Sequence, residues 1–567
     1  MVGPDATLRR PMPKEPTAPN LTEFAAAMAK GYALDEPSVV IGSPMLGEHL
    51  LPDVRVRVAL AMMNRHGLIA GATGTGKTKT LQLLAGQLSD AGVPVFVSDI
   101  KGDVTGVAAA GRTDDTKINE RVASLKWPFE PHGHPAEFLS LSGKLGAQVR
   151  ATVHSFGPML LGKVLDLNET QTAVLSLVFK YCDDNSLPLL DLVDLRTTLA
   201  YLATDEGKAA MAPYGGMAPA TSGVILRSIV TLEQEGADIF FGEPEFDVDD
   251  LIRSTPEGKG IISVLELRDV MDKPRLFSTF MLWMLAQLYD SLPEAGDLPK
   301  PKLCFFFDEA HLLFDDASKA LLDEVEQTAR LIRSKGVGVF FVTQTPTDVP
   351  SSVLAQLGNR VQHALRAFTP QDSDDLRKTV RTFPTTDFYD VEETLTSLGI
   401  GEAVVTVLSP RGVPTPLVAT RLIPPDSLMA PLDPAAFEAA CAAGPLRAKY
   451  GATVDRESAH EMITARIQNV KTEKAQEAIR KAGVEPTAPR RPPAGAENEA
   501  EWARRREERL QAEADRRARK QAEDSERRAK RDAEAEARRR QRETDTYVRA
   551  GTSILRSILG TLGGRRR

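Results

Sequence analysis

Residues 67 to 78 read Gly-Leu-Ile-Ala-Gly-Ala-Thr-Gly-Thr-Gly-Lys-Thr, and from Gly71 to Thr78 they fit the pattern G-x-x-x-x-G-K-[ST] of a phosphate-binding loop. An apolar strand, Leu68 to Ala70, feeds the glycines, and an amphipathic helix carrying Leu81, Leu84 and Leu88 follows. In that setting Gly71, Ala72, Thr73, Gly74, Thr75 and Gly76 curl backbone N–H groups around the β- and γ-phosphates of a nucleotide. The helix N-terminus adds its positive dipole end. Lys77 is expected to reach the β/γ oxygens, and the Thr78 hydroxyl to hold Mg²⁺. A glycine-rich turn that merely enters a helix is the bland alternative, and the strand-loop-helix context weighs against it.

A chain of 567 residues, 42% hydrophobic, can build one large elaborated α/β domain with tails, or two domains. Its net charge of −8 excludes a global basic field for nucleic acid, although a local basic groove is compatible with it. Cys182, Cys304 and Cys441 lie far apart with no C-x-x-C, which argues against zinc and disulfides and fits a reducing cytoplasm. Residues 1 to 20 are Pro-rich and polar, so they predict a disordered leader and not a signal peptide. No run of 18 apolar residues predicts a transmembrane helix.

Downstream of the loop, Val93 to Ser98 closes on Asp99 as a buried parallel strand would. From about 104 to 260 the patterns predict a mostly helical insertion on the core. His132 and His134 fall in its Pro- and Gly-rich loop, Trp127 to Pro135. They could ligate a metal, but no nearby carboxylate or cysteine completes a site, so they read as solvated loop histidines. Strands and helices then alternate quickly: strands at 260–265, 303–307, 337–343 and 361–368, helices at 275–292, 318–334 and 351–357. That alternation implies βαβ units and a mostly parallel sheet covered on both faces. Ala403 to Leu408 and Pro416 to Leu422 predict a terminal hairpin.

After Pro424-Pro425 the composition shifts. Residues 434 to 482 predict a helical segment and 483 to 496 a linker. Residues 497 to 545, rich in Glu, Arg and Ala but lacking an apolar seam, predict a solvated charged helix better than a self-contained coiled coil. In the final stretch, 546 to 567, Ile554, Ile558 and Leu562 form one apolar face before Arg565-Arg566-Arg567. That face suits a docking helix, for other subunits, a protein partner or a membrane surface.

Hydrolysis needs a metal anchor and an oriented water besides the phosphate loop. Phe305-Phe306-Phe307-Asp308-Glu309 is an apolar strand ending in two acids. Asp308 can hold the Mg²⁺ shell and Glu309 can polarise the attacking water. Gln344, closing the strand Phe340 to Thr343, is the candidate sensor of the γ-phosphate. Arg330 and Arg333, on the helix before that strand, and Arg360 and Arg366, on the strand after it, are candidates for an arginine finger reaching a neighbouring subunit.

Together these residues resemble the HerA/FtsK superfamily of P-loop ATPases. The resemblance covers Met63-Asn64-Arg65-His66-Gly67 into the loop, Phe307-Asp308-Glu309-Ala310-His311, and Arg333-Ser334-Lys335-Gly336-Val337-Gly338 running into Thr343-Gln344. More narrowly, Asp99-Ile100-Lys101-Gly102-Asp103, Leu165-Asp166-Leu167-Asn168-Glu169-Thr170-Gln171 and Gly358-Asn359-Arg360-Val361-Gln362-His363 resemble the bacterial HerA-like family with a helicase HerA-like C-terminal domain. The resemblance spans roughly residues 21 to 425 and recurs in the tail near Ile554 to Gly564. It implies a RecA-like (ASCE) core, use of ATP and Mg²⁺, assembly into hexameric rings, and translocation on double-stranded DNA. It maps Lys77 and Thr78 to Walker A, Asp308 and Glu309 to Walker B, Gln344 to the sensor, and Arg366 or Arg360 to the finger. HerA carries an N-terminal β-barrel that docks a nuclease. With about 65 residues before the loop here, that module is expected to be missing.

Two functions follow as expectations: an ATP-driven ring motor that moves DNA, or an ATPase that remodels or escorts proteins through its charged tail.

Overall fold

The structure, a computed structural model, describes residues 21–314 and 319–481. The expected leader, linker, charged helix and terminal amphipathic helix lie outside the described residues. The organising element is a thirteen-stranded mixed sheet. Its strands are β1 Ser38–Leu46, β2 His49–Leu50, β3 Val56–Ala59, β4 Gly67–Ala70, β5 Val95–Asp99, β6 Ala136–Ser140 and β7 Ala147–Gln148. After these come β8 Ile262–Glu266, β9 Leu303–Phe307, β10 Val337–Thr343, β11 Asn359–His363, β12 Glu402–Thr406 and β13 Val418–Leu422. Their order is β2-β1-β13-β12-β11-β4-β10-β9-β5-β8-β6-β7, with β3 on β1. From β11 to β7 every pairing is parallel, and from β12 to β2 every pairing is antiparallel.

The central strands are apolar almost end to end because helices cover both their faces. Every residue of β4, β5, β8, β9 and β10 is buried. Alternate side chains go to opposite cores. Phe305 and Phe307 pack with Phe341 and Trp283 on one face. Cys304 and Phe306 pack with Phe340, Leu81, Leu84 and Leu88 on the other. Cys304 is thus a small core residue. Phe340 lies in register with Gly67 and stacks on Phe306 at 4.9 Å. A Cβ at Gly67 would meet the Phe340 ring at 2.3 Å, so a glycine is needed where the loop strand begins.

Three expectations change. The region 104–260 is not purely an insertion, because β6 and β7 extend the main sheet. The helical layer proper runs from Val153–Val164 to Pro219–Gln234. The signals of β6 and β7 are weak because the strands are short and lie among Pro, Gly and Ser. The strand expected over 361–368 ends at His363, since its ladder with β4 stops where β4 turns into the loop. Beyond it, Ala364 O accepts from Ala72 N (2.8 Å) and Leu365 N donates to Leu395 O (3.0 Å). Arg366 therefore lies beyond the strand, and it does not share a strand face with Arg360.

The expected boundary at 425 also fails, for the compact unit runs to Asn469. The helix Pro434–Ala443 seats Phe437 against Phe138 of β6 at 4.9 Å, and Tyr450 is buried against Phe246 at 5.0 Å. Arg150 donates to Tyr450 O (3.1 Å). Among the described residues no helix is long and apolar enough to cross a membrane.

Candidate active site

The loop Gly71–Thr78 leaves β4 and enters the helix Lys77–Asp90. Gly74 and Gly76 hold φ of +78° and +115°, conformations that side chains rarely adopt. Gly71 is needed for a different reason: a Cβ there would meet the Cβ of His363 at 2.5 Å. Three segments strap the loop down. Gly71 N donates to Thr343 O (3.2 Å) and Gln344 O (3.1 Å), Ala72 N to Ala364 O, and Gly401 N to Thr75 O (3.0 Å). Within it, Thr75 Oγ1 donates to Ala72 O at 2.7 Å. The Lys77 ammonium lies over the loop, donating to Gly71 O (2.7 Å) and Ala72 O (3.3 Å). Burial lowers its pKa, against the pull of Glu309 and Asp308.

Sheet order brings the acids to the loop. β10 separates β4 from β9, and β5 lies on the far side of β9, so the C-terminal ends of all four strands converge. Carboxylate oxygens of Asp99, Asp103 and Asp308 lie within 4.8 Å of one another. Asp103 accepts from Thr78 Oγ1 at 3.3 Å, linking the two residues expected to hold Mg²⁺. Asp99 is committed to its own turn, accepting from Gly102 N (2.7 Å) and Val104 N (2.8 Å). Burial, then the charges of Glu309, Asp103 and Asp99, push Asp308 up to about 7. Burial likewise raises Asp99 to about 6. Asp103 Oδ1 is buried with no partner. A hard, oxygen-only donor set with an orphaned oxygen and crowded negative charge fits Mg²⁺ held by Thr78, Asp103 and Asp308.

Glu309 follows at once, 4% exposed, with φ of +47°. A non-glycine residue there costs on the order of 1 kcal/mol. Its neighbours hold the turn: Glu309 N donates to Asp308 Oδ1 (3.0 Å) and Ala310 N to Val342 O (2.9 Å). One carboxylate oxygen pairs with the Lys101 ammonium; the other, Oε2, is buried without a hydrogen bond, 3.4 Å from His311 Nδ1.

The remaining candidates separate. The Gln344 side chain is exposed at the strand end, and its carbonyl caps Gly71 N. Arg360 spends its guanidinium inside its own subunit, donating to Leu357 O (3.2 Å), Leu354 O (3.2 Å) and Thr382 O (2.9 Å). Arg366 is exposed with one bond, to Thr396 O (3.2 Å). Arg330 pairs with Glu326 (2.8 Å) and Arg333 is exposed; both precede the start of β10, the sheet end opposite the loop.

Sequence reading gave no role to Lys101, Asp103 or His363. The first two sit in the turn Asp99-Ile100-Lys101-Gly102-Asp103, whose pair of acids around a glycine was a usable signal. His363 is buried, 2.9 Å from Thr80 Oγ1, and burial lowers it to about 4, helped by the Lys77 charge. Beside the loop lies a cleft of about 370 Å³ lined by Gly76, Thr80, Ile118, Ile400, Leu422 and Pro424. Arg121 fixes one wall through Ile400 O (2.8 Å) and Gly401 O (2.8 Å).

The chain is 21% identical over 402 residues to the DNA double-strand break repair helicase HerA of Sulfolobus acidocaldarius, covering 69% of this chain and 72% of the relative. It is 22% identical over 405 residues to the helicase of that name from Saccharolobus solfataricus, covering 68% and 71%. Among solved structures, the plasmid coupling protein TrwB in complex with a non-hydrolysable ATP analogue aligns with a TM-score of 0.46 and 15% identity, over 72% of this chain and 94% of that one. The family model described as helicase HerA-like C-terminal matches residues 47–567. The protein belongs to the helicase HerA-like C-terminal family.

Proposed function

We propose that this protein is an ATP-hydrolysing ring motor acting on double-stranded DNA. The observation that carries the hydrolytic half is the convergence of Lys77, the Thr78–Asp103–Asp308 set and Glu309 at the ends of neighbouring strands. Loop amides and Lys77 bind the β- and γ-phosphates, and the apolar cleft beside Thr80 receives the base. Thr78, Asp103 and Asp308 would hold Mg²⁺, which would supply charge neutralisation for the transferring phosphoryl group. Glu309 orients a water and takes its proton as the oxygen attacks the γ-phosphorus and the bond to the β-phosphate oxygen breaks. Lys101 positions Glu309, and Gln344 faces the γ-phosphate. Arg366 is the finger offered to a neighbouring subunit in a hexamer, because Arg360 has its donors committed at home.

The DNA half is supported by the family and by the helicase relatives. The net charge of −8 favours the second reading, a protein-remodelling ATPase, because it offers no global attraction to a polyanion. Steady-state ATPase of the full chain, with and without linear duplex DNA, separates the two, with solution mass measured on the same samples. The motor reading expects a DNA-stimulated rate that falls with added salt, and a ring mass. An unstimulated rate at low salt overturns the DNA half.

A further inference from the structure

The far end of the loop helix carries a second cluster. Asp90, the last residue of the helix Lys77–Asp90, faces His132 and His134 on the segment before β6. The sequence offered these histidines no carboxylate; the fold brings one from 42 residues away. His134 is not a solvated loop residue either, since its side chain is only 2% exposed.

His132 Nε2 lies 3.1 Å from Asp90 Oδ2, and His134 Nδ1 lies 3.5 Å from Asp90 Oδ1. One ligand atom from each residue lies within 4.8 Å of the other two. Metal–nitrogen and metal–oxygen bonds of about 2.0–2.1 Å place tetrahedral ligand atoms about 3.3 Å apart. The two measured separations, each to a different oxygen of Asp90, lie close to that edge.

The hydrogen bonds favour the same occupant. His132 Nδ1 is 2.8 Å from Glu130 O, a bond that requires the proton on Nδ1. Nε2 then faces the Asp90 carboxylate, as a donor when the ring is protonated and as a lone pair when it is neutral. His134 Nδ1 is buried with no hydrogen-bond partner and faces the same carboxylate. Two imidazole nitrogens facing one carboxylate need a positive charge between them, either a proton or a metal ion. An imidazole tied to a main-chain carbonyl through its other nitrogen is the usual support of a metal ligand. Lys259 Nζ (2.7 Å) also donates to Asp90 Oδ1, the oxygen that faces His134 Nδ1. The carbonyl of Asp426 accepts His132 N (3.0 Å), which ties the histidine segment to the stretch after β13.

We propose that Asp90, His132 and His134 form a structural site for a divalent transition metal of the Zn²⁺ class. Two imidazoles with a carboxylate select such an ion over Mg²⁺ or Ca²⁺. A helix of 14 residues is about 20 Å long, so this site is remote from the phosphates. It would clamp the trailing end of the loop helix to the segments before β6 and after β13, fixing the helix that presents Lys77.

The test uses untagged full-length protein, stripped of metal, in excess Mg²⁺ and ADP so that the active-site acids are occupied. Zn²⁺ binding is measured by competition with a chromophoric chelator and by thermal midpoint, and Co²⁺ supplies visible bands that report coordination. The expected result is one ion per chain, tetrahedral Co²⁺ bands, and a midpoint raised by Zn²⁺. In His132→Gln, a half-exposed position that tolerates substitution, affinity falls at least about tenfold and the midpoint no longer responds. His134→Ala and Asp90→Asn should lose binding too. Equal Zn²⁺ affinity in wild type and His132→Gln, or octahedral Co²⁺ bands, overturns the proposal and leaves the cluster a polar network around Asp90.

Discussion

Buried histidines make the stability of this chain depend on acid. His66 is buried, accepts Val339 N at Nδ1 (3.0 Å), and is lowered by burial to about 4; His363, beneath the phosphate loop, is lowered to the same value. Both fold neutral while the unfolded chain takes up protons near pH 6.5, so stability is lost as pH falls from about 6.5 toward 4. Each group carries roughly 3 kcal/mol across that window. His363→Gln, which keeps a polar partner for Thr80, should lower the thermal midpoint at pH 7.5 and narrow its gap from wild type by pH 5. A gap that stays constant with pH would contradict this. Lys77, Thr78, Asp308 and Glu309 could be picked out in the sequence because each proposed role follows from adjacency within one motif. His363 could not, and the turn of Lys101 and Asp103, though marked by its pair of acids, could not be set beside the loop, because these places depend on which strands end side by side. Asp103→Asn should accordingly weaken Mg²⁺-dependent nucleotide binding while metal-free nucleotide binding persists, read by titration with and without the metal.

At the scale of elements, the alternation of strands and helices was plain wherever strands are buried on both faces, as in Phe305-Phe306-Phe307. It blurred where pairing is short or changes direction. β11 ends three residues after Arg360 because the neighbouring strand turns into the loop, and no periodicity in Val361 to Phe368 signals that. The consequence is functional. Arg360 becomes an internal brace for the turn before its strand, whereas Arg366 is exposed and bonded to Thr396 O. Arg360→Ala should therefore lower the thermal midpoint, whereas Arg366→Ala should leave it unchanged, retain nucleotide affinity and lose turnover. Mixing Arg366→Ala with Glu309→Gln subunits should restore part of the activity at mixed interfaces. Full activity of Arg366→Ala alone would remove it as the finger.

For the whole molecule, the composition shift after Pro425 suggested an appended helical segment, yet Phe437, Leu446 and Tyr450 are core residues. Composition reports solvent exposure on average, and an Ala-rich helix such as Pro434–Ala443 hides its single large anchor, Phe437. Truncation after residue 425 should cost more than a single buried Phe→Ala change of ~3–5 kcal/mol. In the proposed hydrolytic centre at the converging strand ends, phosphate binding and water activation belong to different residues. The most direct test measures ATP affinity and single-turnover hydrolysis of full-length wild type, Lys77→Ala and Glu309→Gln. Lys77→Ala should lose binding, and Glu309→Gln should bind ATP as wild type does while hydrolysing it ~10²–10⁴-fold more slowly. Equal hydrolysis by wild type and Glu309→Gln would contradict the account.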